Sequence, residues 1–258
     1  MKFALESGRE IPAVGLGTYQ LRGTGGREAV VHALQLGYRH IDTAQFYRNE
    51  EMIGEALKNS AVDRQEMFVA SKVWTSSLGY NQTDRAFEES LRKLQLDYID
   101  LYLIHWPGSD RSKRLESYRR MMELREEGRI GAVGVSNFST AQLDEIYQKF
   151  GEYPEVNQVL FNPFETDSNL LNFCRESHIQ LVAYTPLNKG RNLDQGVLKS
   201  IAAKYQKTPA QICLRWALDQ GIVVIPKSSS PSRMRENMDV LDFALSSMEI
   251  EEISGLNN

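Results

Sequence analysis

The stretch YRHIDTAQFYRNEEMIGEAL, residues 38–57, decides the fold, because it reads as a strand, a turn and the first turns of a helix. Short aliphatic or β-branched runs alternate with longer amphipathic runs along the chain, which is typical of strand–helix units around a parallel sheet. The eight candidate strands are AVGLGTY (13–19), YRHIDTA (38–44), MFVASKV (67–73), IDLYLIH (99–105), IGAVGVS (130–136), VNQVLF (156–161), IQLVAYT (179–185) and GIVVIPK (221–227). Eight such units predict an α/β fold, the (β/α)8 TIM barrel.

Two helical patterns carry boundary signals. In QTDRAFEESLRKLQL, residues 82–96, apolar residues recur at helical spacing behind Thr83, which we expect to cap the helix. In TPAQICLRWALDQG, residues 208–221, Pro209 stands at a first-turn position and Gly221 marks the end.

Two additions to the barrel are also expected. FALESGREIP, residues 3–12, predicts an N-terminal β-hairpin with Ser7 and Gly8 at its turn. NLDQGVLKSIAAKY, residues 192–205, predicts an extra helix before the seventh barrel helix. Because the sequence contains no linker or low-complexity tract, residues 1–258 are expected to form a single domain.

Composition argues against several classes of partner. The formal charge of −4 arises from 30 basic and 34 acidic residues, without a run long enough for a nucleic-acid arm or a polybasic membrane patch. The two cysteines, Cys174 and Cys213, lie inside helical patterns and suit a reducing compartment. No segment has the roughly 20 apolar residues of a membrane span, and the amino terminus lacks a signal-peptide run. We therefore expect a cytoplasmic monomer with no nucleic-acid or membrane partner.

Polar residues stand at the carboxyl ends of three neighbouring candidate strands. Asp42 ends the second strand, and Tyr47 follows it in the loop. Lys72 ends the third strand and His105 ends the fourth. Any one of these would more often be a packing or capping residue. Four together favour an active site, because this rim of a barrel is where the chemistry lies.

These side chains suit protonation of a carbonyl oxygen. A lysine about 4 Å from the phenol would favour the phenolate by roughly 4 kcal/mol at an effective dielectric near 20, so we expect a lowered pKa for Tyr47. Asp42 would keep Lys72 charged, and His105 could orient a substrate oxygen or share its proton. Because the set contains neither a metal nor a nucleophile, the missing partner is a hydride donor.

The usual dinucleotide fingerprint is absent. GLGTYQ from Gly15 begins like that motif, but its sixth residue is Gln20 and no helix opens directly after it. IPKSSSPSRMREN, residues 225–237, instead follows the last strand and places Lys227, three serines and Arg233 around the start of a helix. Such a segment can bind phosphate, although it is also compatible with an ordinary solvated surface.

From end to end the chain resembles the aldo-keto reductases. The matching blocks are GLGTYQL, RHIDTAQFYRNEEMIGEAL, VASKVW, LDYIDLYLIHWP, EEGRIGAVGVSNF, VNQVLFNPF, AYTPL and IPKSSSPSRMREN. The resemblance implies an NADPH-dependent carbonyl reductase with no metal. It also implies a catalytic set of Asp42, Tyr47, Lys72 and His105, with Tyr47 as proton donor.

The resemblance extends to the cofactor and substrate contacts. The implied cofactor residues are Gly17, Thr18, Asp42, Ser136, Asn137, Gln158, Tyr184, Pro186, Leu187, Lys227, Ser228, Ser229, Arg233, Glu236 and Asn237. Among these, the family places Ser136, Asn137 and Gln158 at the carboxamide and Tyr184 against the nicotinamide ring. Lys227, Ser228 and Arg233 would bind the 2′-phosphate, with Glu236 and Asn237 at the adenine. The implied substrate residues are Tyr19, Phe46, Tyr47, Trp74, His105 and Trp106.

Departures from the family pattern concern the pocket. Tyr19 stands where many members have tryptophan, and Asn162 stands where many have histidine after the sixth strand. The segment after Pro107 is short, as is the carboxyl-terminal segment, so we expect an open pocket. Aromatic walls of this kind suit small aldehydes, ketones or keto-sugars without choosing among them.

Two other interpretations stay open from the sequence. A metal-dependent hydrolase could use His40 and Asp42, two apart on one strand, but the remaining histidines His32 and His178 lie in helical patterns. A non-catalytic NADPH-binding protein, such as a sensor or channel partner, could keep the fold without the chemistry. That interpretation predicts loss of a catalytic residue, and none is missing.

Overall fold

The computed structural model describes residues 1–257, and its strands form a hairpin and a parallel barrel. The strands are β1 (Lys2–Ala4), β2 (Glu10–Pro12), β3 (Leu16–Gly17), β4 (His40–Asp42), β5 (Phe68–Val73), β6 (Ile99–Ile104), β7 (Ile130–Ser136), β8 (Val156–Leu160), β9 (Gln180–Tyr184) and β10 (Val223–Val224). Strands β1 and β2 are antiparallel, whereas β3 to β10 form one parallel sheet in sequential order. The predicted strands and hairpin are confirmed.

The first and last strands of the sheet meet and close the barrel. Val14 pairs with Val224, and Gly17 pairs with Lys227, in parallel bridges. The Gly15 N–H donates to the Val224 carbonyl at 2.8 Å. A Cβ on Gly17 would lie 2.7 Å from the Ile225 carbonyl oxygen, so only glycine permits this approach of the two chains.

Helices surround the barrel. They are α1 (Gly23–Gln35), α2 (Glu50–Lys58), α3 (Tyr80–Leu94), α4 (Arg111–Glu126), α5 (Thr140–Phe150), α6 (Ser168–Glu176), α7 (Gly196–Tyr205), α8 (Pro209–Asp219), α9 (Pro231–Met238) and α10 (Ser247–Ser254). The predicted extra helix is α7, which precedes α8. Among residues 1–257, no helix is long and apolar enough to cross a membrane.

The boundary predictions had mixed outcomes. Helix α8 begins as expected, with Pro209 in its first turn and a capping box between Thr208 and Gln211. The expectation that Thr83 caps a helix is wrong, because α3 already begins at Tyr80 after Gly79. Thr83 is instead buried within α3, where its hydroxyl donates to the Ser77 carbonyl at 3.2 Å.

The core has two shells. The larger lies between the sheet and the helices, and the smaller fills the barrel with residues from β5, β6, β7, β8, β9 and β10. Leu5 and Ile11 of the hairpin segment belong to the inner shell, so the hairpin covers the end where the strands begin. Polar residues occupy the opposite end of the barrel, where the strands finish.

Candidate active site

The strand pleat places the catalytic candidates at the open end of the barrel. Residues two apart on a strand face the same side. Leu101 and Leu103 lie in the inner shell, so His105 continues that row at the mouth. Phe68 and Ala70 lead to Lys72 in the same way. The structure thus brings the predicted strand-end residues to one face.

A buried ion pair forms the centre of the site. The Lys72 Nζ lies 2.6 Å from Oδ1 of Asp42, and both side chains are almost completely buried. Lys72 also donates to the Thr43 carbonyl at 2.8 Å, and the Gln158 amide donates to Oδ2 of Asp42 at 2.8 Å. These contacts matter because a charge removed from water is tolerated only when it is paired and hydrogen-bonded.

Lys72 links this pair to the phenol. Its Nζ donates to the Tyr47 hydroxyl at 3.5 Å, and Tyr47 lies in a short 3-10 turn, Gln45–Tyr47. Burial alone would lower the pKa of Lys72, but the Asp42 carboxylate and the Tyr47 hydroxyl together outweigh burial, and the pKa is raised. This direction agrees with the expectation that Asp42 keeps the ammonium charged, which stays a prediction.

The phenol itself departs from expectation. Burial raises the pKa of Tyr47, and the opposing effect of the Lys72 charge is smaller. The prediction of a lowered pKa is therefore wrong, because the barrel mouth desolvates the phenol more than one ammonium at 3.5 Å compensates. The Lys72 charge still limits this rise in the pKa of Tyr47, and it would stabilise a phenolate formed during proton transfer.

His105 is neutral at ordinary pH. Burial, with a further contribution from the Lys72 charge, lowers the pKa of its imidazole to about 3. Its Nδ1 is buried without a hydrogen-bond partner among residues 1–257. The ring lies edge-on to Tyr47, with 5.5 Å between ring centroids. A neutral imidazole can donate a hydrogen bond to a substrate oxygen, but it is not the acid that supplies a proton near pH 7.

Aromatic rings surround the mouth. Phe46 stacks on Trp74 with centroids 4.0 Å apart, and Trp74 meets His105 edge-on at 5.0 Å. Tyr19 lies 5.1 Å from the Tyr47 ring on the other side. Tyr19 and Phe46 are nearly half exposed, as expected for an open pocket.

Trp106 is also exposed, at 44%. It stands next to His105 in the chain, but within the described part of the protein it stacks on none of the other rings. Trp106 therefore lies at the rim of the mouth, apart from the other aromatic rings.

The predicted carboxamide contacts are close together. The Ser136 hydroxyl donates to the Gln158 carbonyl at 2.8 Å, and the Asn137 amide donates to the His105 carbonyl at 3.1 Å. The Tyr184 hydroxyl donates to Oδ1 of Asn137 at 2.8 Å. Because the Gln158 side-chain nitrogen is committed to Asp42, its side-chain oxygen is the part suited to accept from a carboxamide.

Other predicted cofactor residues line the same side of the barrel. Thr18 is buried beside Gly17, and its hydroxyl donates to the Asp42 carbonyl at 2.9 Å. Pro186 and Leu187 follow β9 and the Tyr184 ring. These residues adjoin the carboxamide contacts through Asp42 and Tyr184.

The predicted phosphate segment has the character of an anion site. Lys227 and Arg233 are exposed, and neither forms an ion pair within residues 1–257. Ser228 is buried and Ser229 exposed, and α9 begins after Ser230 without a side-chain cap. The uncapped N–H groups and the two cations fit a phosphate group.

The predicted adenine contacts lie further along α9. Asn237 is buried, and the Glu236 carboxylate accepts from the Thr208 hydroxyl at 2.5 Å. Glu236 is thus tied to α8 by a protein contact.

Two residues with local roles were missed from the sequence. The buried Asn49 amide donates to the carbonyls of Thr18 and Leu21, and its oxygen accepts from Thr43, so it fixes the loops on either side of Asp42. Its position just before α2 was the only signal, because asparagine is favoured there as a helix cap. Gln45 joins two loops of the mouth, and nothing in its sequence context indicated this.

The arrangement around His40 does not support the hydrolase. His40 is buried against Phe68, with Nδ1 3.4 Å from the Pro12 carbonyl oxygen. Burial lowers the pKa of this imidazole to about 4. In residues 1–257, no cluster of three or more His, Cys, Asp or Glu side chains is arranged to hold a metal ion.

Comparison with known proteins identifies the family to which the chain belongs. The Aldo/keto reductase family profile matches residues 13–258. Glyoxal reductase from Bacillus subtilis (strain 168) is 46% identical over 254 residues, covering 98% of this chain and 91% of the relative. Methylglyoxal reductase DkgA from Escherichia coli (strain K12) is 43% identical over 255 residues, covering 98% and 92%. A Bombyx mori aldo-keto reductase solved in complex with NADP has a TM-score of 0.92 at 36% identity, covering 100% of this chain and 92% of that one. With this agreement in sequence and fold, the chain belongs to the aldo/keto reductase family.

Proposed function

We propose that this protein reduces small carbonyl compounds, in particular α-dicarbonyls such as glyoxal and methylglyoxal, with NADPH as the reductant. The observation that carries the proposal is the hydrogen-bonded series from the buried Asp42 and Lys72 to the partly buried Tyr47, which ends at an open aromatic mouth. Relatives named as glyoxal and methylglyoxal reductases support the choice of substrate. Two adjacent carbonyl groups make a small substrate that such an open mouth can admit.

Tyr47 supplies the proton in this proposal. Bound NADPH would provide a hydride to the carbonyl carbon. As negative charge develops on the carbonyl oxygen, the Tyr47 hydroxyl donates its proton to it, and the Lys72 ammonium stabilises the phenolate left behind. Asp42 holds Lys72 in place, and the neutral His105 ring orients the oxygen by a hydrogen bond.

The cofactor proposal uses the two regions described above. The Gln158 side-chain oxygen would accept from the carboxamide, and the partly buried Tyr184 ring would lie against the nicotinamide. At the other end, Lys227 and Arg233 would bind the 2′-phosphate together with Ser228. Support for this choice comes from the two exposed cations beside the start of α9.

The first expected result is turnover. Purified protein should consume NADPH when glyoxal or methylglyoxal is added, followed by the fall in NADPH absorbance. Treatment with a chelator and dialysis should leave the rate unchanged. NADPH binding without turnover of any aldehyde, ketone, keto-sugar or quinone would favour the non-catalytic alternative. Activity that returns only with added zinc would favour the hydrolase.

A second expected result concerns cofactor choice. Charge-assisted hydrogen bonds contribute roughly 1.5 to 3 kcal/mol each, so Lys227 and Arg233 together should favour NADPH over NADH by about a hundredfold or more. Arg233→Ala should weaken NADPH much more than NADH, measured by quenching of tryptophan fluorescence. The preference should also shrink as salt rises, because part of it is screened attraction.

The matched control for Arg233 is Arg235→Ala. Arg235 is also exposed on α9, and its loss changes the net charge equally. Equal weakening by both variants would mean a general charge effect. Equal binding of NADPH and NADH by the unmodified protein would refute the phosphate assignment and leave the Tyr47 proposal intact.

A further inference from the structure

The Gln45 side chain joins two loops of the mouth. Its Oε1 accepts from the Trp74 backbone N–H at 2.8 Å, and its Nε2 donates to the Ser77 hydroxyl at 3.2 Å. Trp74 precedes the short turn Thr75–Ser77, and Ser77 ends it. One amide therefore holds both ends of the turn that follows β5.

Gln45 also begins the turn that carries the proton donor. The next two residues are Phe46 and Tyr47. Phe46 stacks on Trp74 at 4.0 Å, and Trp74 meets His105 edge-on. The wall of the mouth opposite Tyr19 is thus built from two loops that the Gln45 amide ties together.

The proton donor has other supports. The Tyr47 N–H donates to the Ala44 carbonyl at 3.0 Å, and its hydroxyl is held by Lys72. Lys72 is in turn fixed by Asp42 and the Thr43 carbonyl. Loss of the Gln45 amide therefore loosens the aromatic wall and leaves the acid in place.

We propose that Gln45 is a positioning residue that sets the width of the substrate mouth and so its preference for small carbonyl compounds. This inference rests on the proposed reductase function. With the wall held in place by Gln45, Phe46 and Trp74 would contact a two-carbon or three-carbon dicarbonyl on one side of the mouth. When the wall is loose, a small substrate loses those contacts and a bulky aldehyde gains room.

Kinetics of Gln45→Ala test the inference. We expect KM for glyoxal to rise about tenfold, as the loss of two hydrogen bonds to the wall allows, while kcat changes less than about threefold. The ratio of kcat/KM for glyoxal to that for an aromatic aldehyde should fall by a similar factor. The pH profile of kcat should stay in place, since Tyr47 and Lys72 keep their contacts.

A partial variant separates the two hydrogen bonds. Ser77→Ala removes the contact with Nε2 and keeps the Oε1 acceptor for the Trp74 N–H, whereas Gln45→Ala removes both hydrogen bonds. Ser77→Ala should therefore give an intermediate effect, and adding it to Gln45→Ala should change nothing further. Ser77→Ala also serves as the test if Gln45→Ala does not fold. The matched control is Gln65→Ala, an exposed glutamine in a similar short turn at the opposite end of the barrel.

A fluorescence measurement tests the role of Gln45 without enzyme turnover. In a Trp106→Phe background the emitting residues are Trp74 and the buried Trp216. Gln45→Ala should then make the emission more accessible to a neutral quencher, and Gln65→Ala should not. Unchanged quenching together with an unchanged substrate ratio would overturn the role of Gln45. Absence of carbonyl reduction by the unmodified protein would instead overturn the proposed function.

Discussion

Replacing Tyr47 by phenylalanine should lower kcat for glyoxal reduction by about 10²- to 10⁴-fold, the usual contribution of a positioned general acid. The change removes one hydroxyl and keeps the ring that packs against Tyr19 and His105. The only hydrogen bond it removes within the described residues is the 3.5 Å contact from Lys72, so the fold should persist. NADPH affinity should also persist, because the phenol acts in the transition state and not in cofactor binding.

The measurement is steady-state kinetics with NADPH titrated separately by fluorescence. Tyr147→Phe removes the same group from an exposed ring on α5 and serves as the control. Near-unchanged turnover by Tyr47→Phe would show that the proton comes from elsewhere. Because the pKa of His105 is about 3, no protonated imidazole there could take over near neutral pH.

Replacing Lys72 by methionine should cost both activity and stability. Within residues 1–257, the substitution leaves the buried Asp42 carboxylate with the Gln158 amide as its remaining polar side-chain contact. Removing one partner of a buried ion pair typically costs about 3 to 5 kcal/mol of unfolding free energy. The phenolate formed during turnover also loses its nearest cation, so kcat should fall as well.

The direction in which Lys72 shifts the pKa of Tyr47 determines how the rate of Lys72→Met should depend on pH. The positive charge holds the pKa of Tyr47 below the value that burial alone would give. Carbonyl reduction needs the protonated phenol, so its rate falls as pH rises through that pKa. Lys72→Met should move this falling limb to higher pH. Alcohol oxidation needs the phenolate, and its rising limb should move in the same direction.

Denaturant unfolding and pH profiles of both reaction directions test the prediction. Lys93→Met is the control, since Lys93 forms a partly exposed ion pair with Glu89 at 2.7 Å on α3. Such a pair contributes at most about 1 kcal/mol. A Lys72→Met protein as stable as this control, with an unaltered profile, would contradict both the ion-pair and the phenol arguments.

Much of the site could be predicted from the sequence, because successive side chains of a strand alternate strictly between its two faces. Once Leu101 and Leu103 are assigned to the interior, His105 must face the mouth. The same argument places Lys72 after Ala70. Parallel strands then bring these ends to one rim, so no knowledge of the loops was needed.

The other features of the site depend on contacts between loops and on burial. Neither of these leaves a periodic pattern in the sequence. The two contacts of Gln45 exist because two turns approach each other, and neither turn has a pattern that specifies the other. The pKa of Tyr47 was misjudged because a pairwise estimate from Lys72 omits desolvation by the surrounding barrel. Thr83 was misplaced because Gly79 starts α3 earlier than the usual capping residues indicate.

The pairing of Gly17 with Lys227 has a consequence for synthesis of the protein. A nascent chain that has emerged only as far as β9 has two open sheet edges, one at β3 and one at β9. Open edges promote association with other chains, and closure between distant segments is slow. The growing polypeptide therefore keeps two open sheet edges until β10 leaves the ribosome. Docking of that last strand closes the barrel and brings Lys227 of the proposed phosphate-binding segment beside Gly17.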